Sequence, residues 1–396
     1  MIGILFWIFV IAILYTYFGY PLLLILLARL RPVPQYAAGE LPSVTLLIAA
    51  YNEESVIGRK IENSLELDFP DNKLQILIAA DGSDDGTVEI VRSFSSQGIE
   101  LSYDAARAGK MAAINRAMLN ARGDIIAFSD ANNAYAPDTL RELLKPFTDP
   151  SIGAVSGAKH ILKDDSTLGE SEGLYWRFES FIKKQETRLG NCTGVAGEIL
   201  AIRRALFTPP PARVINDDFY MGMRLLREGH RLVYAPEAKS FERVSPTAQD
   251  EIARRTRIIA GRFQAISMAP QLLTWRRPVV LWQIVSHKFL RPLVPFGMIG
   301  AFTTNLIAVF IPPQQESLHL LHLAAPYNYL FMGFQILFYL AALAGSRIEK
   351  STRLGKLLYL PTFLVNSNFA ALAGLFRFLT GRQTALWKRV RRQEEV

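Results

Sequence analysis

The chain has 396 residues, of which 50% are hydrophobic, and its formal net charge is +8. The apolar residues concentrate in the first thirty positions and after about residue 288, and the middle has the composition of a soluble domain. The single cysteine, Cys192, excludes an internal disulfide bond and fits a reducing compartment. The positive charge lies beside apolar segments, so anionic lipid explains it more simply than nucleic acid, and no nucleic-acid partner is expected.

An uncharged apolar segment, 4–28, opens the chain and exceeds the roughly 20 residues that a transmembrane helix requires. It lacks the basic start and the small-residue cleavage site of a secretory signal peptide, so we expect it to be retained. Arg29 and Arg31 follow it, and no charged side chain precedes it. The positive-inside rule therefore predicts that residues 1–30 form a transmembrane helix with the N-terminus outside and the following chain in the cytoplasm.

The C-terminal part, 291–380, is predicted to contain further membrane helices. The segments 292–312 and 326–346 are long and apolar enough to span a bilayer, and the loop between them has no lysine or arginine. A fourth apolar segment, 357–376, contains Pro361, and the basic residues after it would lie outside if it crossed. We therefore expect a re-entrant hairpin or a pair of interface-bound helices there; a plain fourth span that breaks the charge rule is the alternative.

Two more segments carry basic residues next to the predicted spans. Residues 266–290 combine Trp275 and Trp282 with arginines and a lysine, which is typical of an amphipathic helix in the lipid headgroup region. A linker helix packed on the soluble domain is the alternative interpretation. The basic segment 381–396 is predicted to be a cytosolic tail.

Between residues 40 and 265, strand-like runs such as "VTLLIAA", "LQILIAA" and "DIIAFS" alternate with helical stretches. This alternation predicts a parallel sheet with helices on both faces, and ligands of such sheets bind beyond the carboxyl ends of the strands. Polar side chains follow three of these strands: Tyr51 and Glu53 the first, Asp81 the second, and Asp130 the last. The sequence therefore predicts a cytosolic α/β domain with a binding site at one edge of its sheet.

Six sequence blocks occur in a specific order. They are "PSVTLLIAAYNEE", "AADGSDDGT", "RAGKMAAINRAM", "AFSDANN", "GVAGEILAIRR" and "INDDFYMGMRLLREGHRLVYAPEA". In this order they resemble the motifs of membrane-bound family-2 glycosyltransferases, the group that includes cellulose, hyaluronan and poly-N-acetylglucosamine synthases. The resemblance covers roughly residues 40–390. It implies a nucleotide-diphospho-sugar transferase (GT-A, Rossmann-like) domain inserted between transmembrane helices in a lipid bilayer.

The resemblance implies a donor pocket at the first strand ends. Asp81 matches the acidic residue that contacts the uracil and ribose of a UDP-sugar, and Tyr51 and Glu53 line the same pocket. Lys110 matches a basic residue near the nucleotide. A cation is useful there because the leaving group is a diphosphate.

In "AFSDANN", Asp130 matches the first carboxylate of the DxD motif, which holds the Mg²⁺ or Mn²⁺ ion that bridges the diphosphate. Asn132 takes the place of the second carboxylate. Its amide oxygen is a suitable ligand for a hard cation, but it supplies no charge. Because the diphosphate provides oxygens itself, we expect one protein carboxylate to suffice, with weaker metal binding in the absence of nucleotide.

Asp218, the second aspartate of "INDD", matches the general base that takes the proton from the acceptor hydroxyl. Asp217 precedes it, and both carboxylates begin a predicted helix, so the choice between them stays open. A carboxylate across the sugar from the metal implies a single displacement with inversion at the anomeric carbon. Glu198 stands where relatives commonly have a small residue; it is either a local hydrogen-bonding residue, which we favour, or a contact to the acceptor.

An arginine-rich block follows the predicted catalytic helix. Arg255 and Arg257 fit the family's QxxRW motif and are expected to add fixed positive charge at the diphosphate. Ile258 stands where processive synthases have a tryptophan that forms a platform under the acceptor sugar. This departure weakens the case for long-chain synthesis and leaves the case for sugar transfer intact.

Three functional hypotheses remain. The first is an inverting hexosyltransferase of the plasma (inner) membrane, which uses a UDP-sugar to extend a cell-surface polysaccharide and is compatible with an accessory membrane subunit. The second is a non-processive enzyme that adds one sugar to a lipid-linked acceptor. The third is a catalytically silent scaffold or nucleotide-sugar sensor, and the joint presence of Asp81, Asp130 and Asp218 argues against it.

Overall fold

The computed structural model describes residues 1–36, 39–162, 167–243, 248–312, 319–348 and 352–383. The chain forms two compact units. The sheet unit includes Leu24–Arg254 and Gln264–Ile284, and the helical unit consists of Met1–Leu23, Arg255–Phe263 and Val285–Thr380. Most of the predicted tail, 381–396, is not among the described residues. Residues 313–318, in the loop between the predicted spans 292–312 and 326–346, are not among them either.

Within the described residues, one mixed sheet of eight strands organises the sheet unit, in the order β3-β2-β1-β4-β7-β6-β8-β5. The strands are β1 Val44–Ala50, β2 Leu74–Asp81, β3 Ile99–Asp104, β4 Ile125–Asp130, β5 Ala134–Tyr135, β6 Ile152–Ile161, β7 Leu200–Arg203 and β8 Arg231–Glu242. The α/β class is confirmed, and β1 to β4 pair in parallel as predicted.

The expectation of a wholly parallel sheet is wrong for β5 and β7, which pair antiparallel with their neighbours. The strand–helix alternation that predicts parallel pairing stops after β4.

The carboxyl ends of three central strands lie at one level. Every residue of β1 is buried, and β2 and β4 are buried except at one terminal residue each, which is typical of strands covered on both faces. Ala49 of β1 is in register with Ala79 of β2 and with Asp130 of β4. The polar residues that end or follow these strands therefore meet at one edge of the sheet.

The α-helices of the described residues are distributed over the two units. They are α1 Ile2–Leu14, α2 Tyr20–Arg29, α3 Glu54–Leu65, α4 Thr87–Ser93, α5 Lys110–Met118, α6 Thr139–Leu144, α7 Thr167–Arg188, α8 Asp217–Arg227, α9 Ala248–Ser267, α10 Ala269–Leu272, α11 Pro278–Ile284, α12 Val294–Phe310, α13 His319–His322, α14 Tyr327–Gly345 and α15 Arg353–Leu379.

Four helical segments of the described chain are long and apolar enough to cross a membrane. They are Ile2–Arg29, Pro278–Phe310, Tyr327–Gly345 and Leu357–Leu379. The first joins α1 and α2 through a wide helical turn at Tyr15–Gly19. The predicted spans 4–28 and 326–346 agree with the first and third of these segments, and 292–312 corresponds to α12 within the second.

The expected hairpin or helix pair at 357–376 is wrong, because α15 is one continuous helix that contains Pro361. Its polar side chains bond to backbone of the same helix and to neighbouring helices, so they do not interrupt it. Thr362 donates to the carbonyl of Leu358 at 2.8 Å, and Asn368 donates to Leu364 at 2.8 Å and to the Tyr17 hydroxyl at 3.2 Å.

The segment predicted to be one amphipathic helix, 266–290, is instead divided between the end of α9, the short α10 and α11 with its continuation. The break lies around Trp275, which is 66% exposed. Pro278 begins α11. Helical backbone is disfavoured for the residue before a proline, which explains the break.

Candidate functional site

Asp81 fixes the loop that follows β3. The Asp81 side chain is 4% exposed, and its two oxygens accept the backbone N–H groups of Ala108 at 2.9 Å and Gly109 at 2.8 Å. Gly82 has a φ of 62°, and a Cβ there would lie 2.7 Å from the backbone nitrogen of Arg107. The end of β2 and the 105–109 loop are therefore in close contact, and Asp81 organises the predicted donor pocket through backbone.

A shallow cleft lies beside this loop. It is lined by Ala49, Ala50, Tyr51, Ala79, Asp81, Arg107, Lys110 and Ala113. The Arg107 guanidinium lies 3.9 Å from the centroid of the Tyr51 ring. The structure therefore brings Tyr51, Asp81 and Lys110 together, and it adds Arg107, which the "RAGK" block contains but which the sequence analysis missed.

Glu53 joins two strand-end loops. Its backbone N–H donates to the Thr87 hydroxyl at 2.8 Å, at the start of α4. The neighbouring Asn52 has a φ of 53° and accepts the N–H of Asp84 at 3.0 Å. The blocks "YNEE" and "DGSDDGT" are therefore bonded to each other beside the cleft, and Glu53 is not among the residues that line it.

Lys110 lies among three of the predicted carboxylates. Its ammonium is 2.6 Å from Asp130 Oδ1, and both side chains are about one fifth exposed, at 21% and 20%. Burial lowers the pKa of Lys110, but the charges of Asp130, Asp217 and Asp218 outweigh burial and raise its pKa above the ordinary value. Lys110 is therefore a cation at neutral pH, and the two helix-start aspartates act on the same site.

Asp217 and Asp218 occupy the first turn of α8. Asp218 Oδ1 accepts the backbone N–H of its neighbour Phe219 at 2.7 Å. A Cβ on Gly197 would lie 3.1 Å from the Cβ of Asp218, so the glycine of "GVAGE" makes room for this carboxylate. The positive end of the helix favours the charged form of both aspartates.

Asn132, at the second ligand position of the metal motif, also has its side chain held by a hydrogen bond. Asn132 Nδ2 donates to Glu242 Oε1 at 2.7 Å. Glu242 pairs with Lys159, whose ammonium also lies 2.6 Å from Glu198 Oε2. Glu198 thus has a buried local partner, which agrees with its interpretation as a local hydrogen-bonding residue.

The residues at this edge of the sheet suit a divalent cation that has few protein ligands and takes the others from bound molecules. Among the described residues, no group of three or more histidine, cysteine, aspartate or glutamate side chains is placed to hold a metal ion. Asp130 and Asn132 offer oxygen donors, which suit Mg²⁺ or Mn²⁺. Diphosphate and water oxygens would complete the coordination.

Arg255 and Arg257 belong to the helical unit, in the segment Arg255–Phe263 of α9. The Arg255 guanidinium lies 5.7 Å from the centroid of the Phe363 ring, on α15 of the same unit. Their predicted action on the diphosphate stays a prediction.

Lys60 on α3 is a buried cationic residue that the sequence analysis missed, because a lysine on an amphipathic helix resembles a solvated one. It is 2% exposed, its ammonium donates to Asn133 Oδ1 at 2.9 Å, and it lies 4.3 Å from the Tyr135 ring centroid. Burial lowers the pKa of Lys60 to about 7, against the opposing charges of Asp130 and Glu198.

The free energy of unfolding should therefore rise with pH through Lys60. Between pH 7 and the ordinary lysine pKa of 10.5, the unfolded chain binds this proton and the folded chain does not, so the folded state gains stability as pH rises. We expect a gain of at most about 1.4 kcal/mol per pH unit relative to K60M, which binds no proton in either state. Thermal unfolding in detergent at several pH values measures it. The exposed-lysine variant K145M should follow the wild type, and parallel curves for wild type and K60M would contradict the prediction.

Comparison with known proteins agrees with this geometry. A family model described as glycosyl transferase family 2 matches residues 45–208. Poly-beta-1,6-N-acetyl-D-glucosamine synthase from Staphylococcus aureus (strain COL) is 26% identical over 243 residues, which is 60% of this chain and 58% of that protein. The probable glycosyltransferase YdaM from Bacillus subtilis (strain 168) is 25% identical over 302 residues, which is 70% of each chain. This chain thus spans less than two thirds of the synthase.

Among solved structures, the mannosyltransferase PcManGT from Pyrobaculum calidifontis, in complex with GDP-Man and Mn²⁺, matches with a TM-score of 0.70 at 20% identity. The match covers 96% of this chain and 100% of that chain, and at this identity it shows the fold. The ordered strand-end residues, the mixed sheet and these matches lead to one conclusion. The region 45–208 is similar to glycosyl transferase family 2, and the sheet has a GT-A-like fold, with candidate membrane helices before and after it.

Proposed function

We propose that the chain is an inverting membrane glycosyltransferase that transfers a sugar from a UDP-sugar to a growing cell-surface polysaccharide. One observation carries the proposal: Lys110 contacts Asp130 and lies in the field of Asp217 and Asp218, at the edge of the sheet where the strands end. This arrangement supports a site with a cation for the leaving diphosphate and a carboxylate for the acceptor. The name of the S. aureus relative, a polysaccharide synthase, supports the acceptor class.

The proposed reaction is a single displacement. Asp218 takes the proton of the acceptor hydroxyl, and the oxygen attacks the anomeric carbon as the bond to the diphosphate breaks, which inverts that carbon. Asp217 contributes negative charge beside it. Lys110 neutralises charge on the departing diphosphate. Asp130 and Asn132 would hold a divalent cation, which would supply further Lewis-acid stabilisation of that charge.

The donor nucleotide and the membrane topology are part of the proposal. The alanine-lined cleft beside Tyr51 and Arg107 is the place for the base. Arg29 and Arg31 after the first span support a plasma-membrane protein with its N-terminus outside and its transferase domain in the cytosol. Arg255 and Arg257 are proposed to approach the diphosphate from α9.

A second candidate function is the addition of one sugar to a lipid-linked acceptor. The presence of Ile258 at the position of the acceptor-platform tryptophan favours it. The chemistry at Asp218 and Lys110 is the same in both cases. Product length distinguishes them.

The experiment is a nucleotide-release screen on detergent-purified protein, with a panel of UDP-sugars and GDP-sugars in Mg²⁺ and in Mn²⁺. We expect release from one UDP-sugar, dependent on the cation, and a ladder of long products by mass spectrometry. A single added sugar would support the second candidate. Absence of release with every donor and both metals would contradict enzymatic function and favour a silent scaffold.

A further inference from the structure

Glu242, which no motif of the sequence singles out, holds the side chain of Asn132. The Asn132 Nδ2 atom donates to Glu242 Oε1 at 2.7 Å. A carboxylate accepts hydrogen bonds and cannot donate them, so the nitrogen end of the amide must face Glu242. The contact therefore determines which way the amide points, two residues from Asp130.

Glu242 is itself held in a buried charge cluster. The Lys159 ammonium pairs with both Glu242 and Glu198. The side chain of Lys159 is 4% exposed, that of Glu198 is 10% exposed and that of Glu242 is 17% exposed. Ser240 also donates to Glu198 Oε1 at 3.3 Å. The same ammonium thus holds both carboxylates, and Glu242 lies directly beside Asn132.

The backbone beside Asn132 is ordered by the same region. The buried Asn133 donates from Nδ2 to the carbonyl of Glu198 at 2.9 Å and to the Ser240 hydroxyl at 2.8 Å. Its Oδ1 accepts from Lys60 and from Ser129, both at 2.9 Å. Hydrogen bonds thus hold both the nitrogen and the oxygen of the Asn133 amide, which limits the movement of the neighbouring Asn132.

The contact also explains an amide where a carboxylate is expected. An aspartate at position 132 would bring a second carboxylate within about 3 Å of Glu242, and like charges at that distance are strongly unfavourable. An amide at 132 fits a carboxylate at 242. By the same argument, a carboxylate at 132 would require an amide at 242.

We propose that Glu242 is a positioning residue that turns the amide oxygen of Asn132 toward the divalent cation and carries the negative charge that a second aspartate would otherwise supply. This inference rests on the proposed function, since it takes a cation at Asp130 as given. A hydrogen bond from the amide N–H to a carboxylate polarises the amide and makes its oxygen a stronger donor to a metal. Residues behind metal ligands commonly tune metal affinity in this way.

The test exchanges the two groups. Mn²⁺ affinity of the full-length chain in detergent is measured by electron paramagnetic resonance, with UDP and separately with GDP, for wild type, E242Q, N132D and N132D/E242Q. We expect E242Q to bind Mn²⁺ about 10-fold more weakly, because the site loses a negative charge and the Asn132 amide loses its carboxylate acceptor. N132D adds a carboxylate next to the cation and should bind Mn²⁺ at least as tightly as the wild type. The double variant should return to within about 3-fold of wild type, because glutamine donates to aspartate across the same contact.

The control is E142Q, which alters an ion-paired, partly exposed glutamate on α6 and should match the wild type. An E242Q variant within about twofold of wild type overturns the inference, and so does a double variant no better than the weaker single variant. If E242Q does not fold, the double variant decides the question: an affinity more than about 10-fold below wild type overturns the inference.

Failure of the proposed function gives a different result. A wild-type chain that binds no Mn²⁺ with either nucleotide overturns both proposals. A wild type that binds Mn²⁺ and releases nucleotide, with variants that do not follow the exchange, overturns this inference alone.

Discussion

Replacement of Asp218 by asparagine is expected to lower the rate of sugar transfer about 10²–10⁴-fold and to leave donor binding nearly unchanged. Asparagine has the size of aspartate and keeps an oxygen that can accept the Phe219 N–H at the start of α8. It cannot take a proton from the acceptor hydroxyl. The measurements are the initial rate of nucleotide release and the equilibrium binding of the donor by calorimetry.

The matched control for this prediction is D217N, which removes the same charge from the same helix turn. We expect D217N to lose less than about 10-fold in rate, because Asp217 only contributes to the field around Lys110. A large loss in D217N with a small loss in D218N would assign the base to Asp217. Small losses in both variants would exclude a carboxylate base at this helix.

The Lys110→Met substitution should lower kcat/KM about 10²–10³-fold, comparable to the loss of a preorganised group that stabilises transition-state charge. It should also strengthen Mn²⁺ binding in the absence of nucleotide. The Lys110 ammonium lies 2.6 Å from Asp130 Oδ1, so it competes with a divalent cation for the same carboxylate. Removal of the lysine therefore weakens catalysis and makes Asp130 more available to metal. Initial-rate kinetics and nucleotide-free Mn²⁺ titration measure the two effects.

The variant K110R keeps the positive charge and tests whether charge or shape is required. We expect it to lose less than about 10-fold in kcat/KM, since arginine binds diphosphate oxygens well but occupies more space. It should show no gain in Mn²⁺ affinity. A K110M variant whose Mn²⁺ affinity falls together with its activity would contradict competition at Asp130.

Much of the sheet and of the candidate site could be predicted because the information is local in the sequence. β1, β2 and β4 are continuous apolar runs that end in polar residues, and parallel register then brings these ends to one edge. The helical stretches between these runs include α3 and α5. Asp81, Lys110 and Asp130 were found in this way, from strand ends and from the order of the motifs.

The parts that were missed depend on contacts between distant positions. Asn132 and Glu242 are 110 residues apart, and Lys60 and Asn133 are 73 residues apart. Glu242 resembles a surface glutamate in sequence, and only the pairing of β8 with β6 brings it to Lys159. The continuity of α15 likewise depends on side-chain bonds to its own backbone and to neighbouring helices, which the distribution of charges does not reveal.

The attachment of Asp81 to the 105–109 loop has a consequence for the reaction cycle. The bonds to Ala108 and Gly109 hold the cleft in shape before any nucleotide arrives, so little ordering remains to be done on binding. In the proposed function, the residues of this cleft contact the nucleotide part of the donor, and the leaving nucleotide keeps that part. The released nucleotide should therefore compete with fresh donor for the same cleft. If the chain has the proposed function, sustained transfer then requires a separate reaction that removes this product.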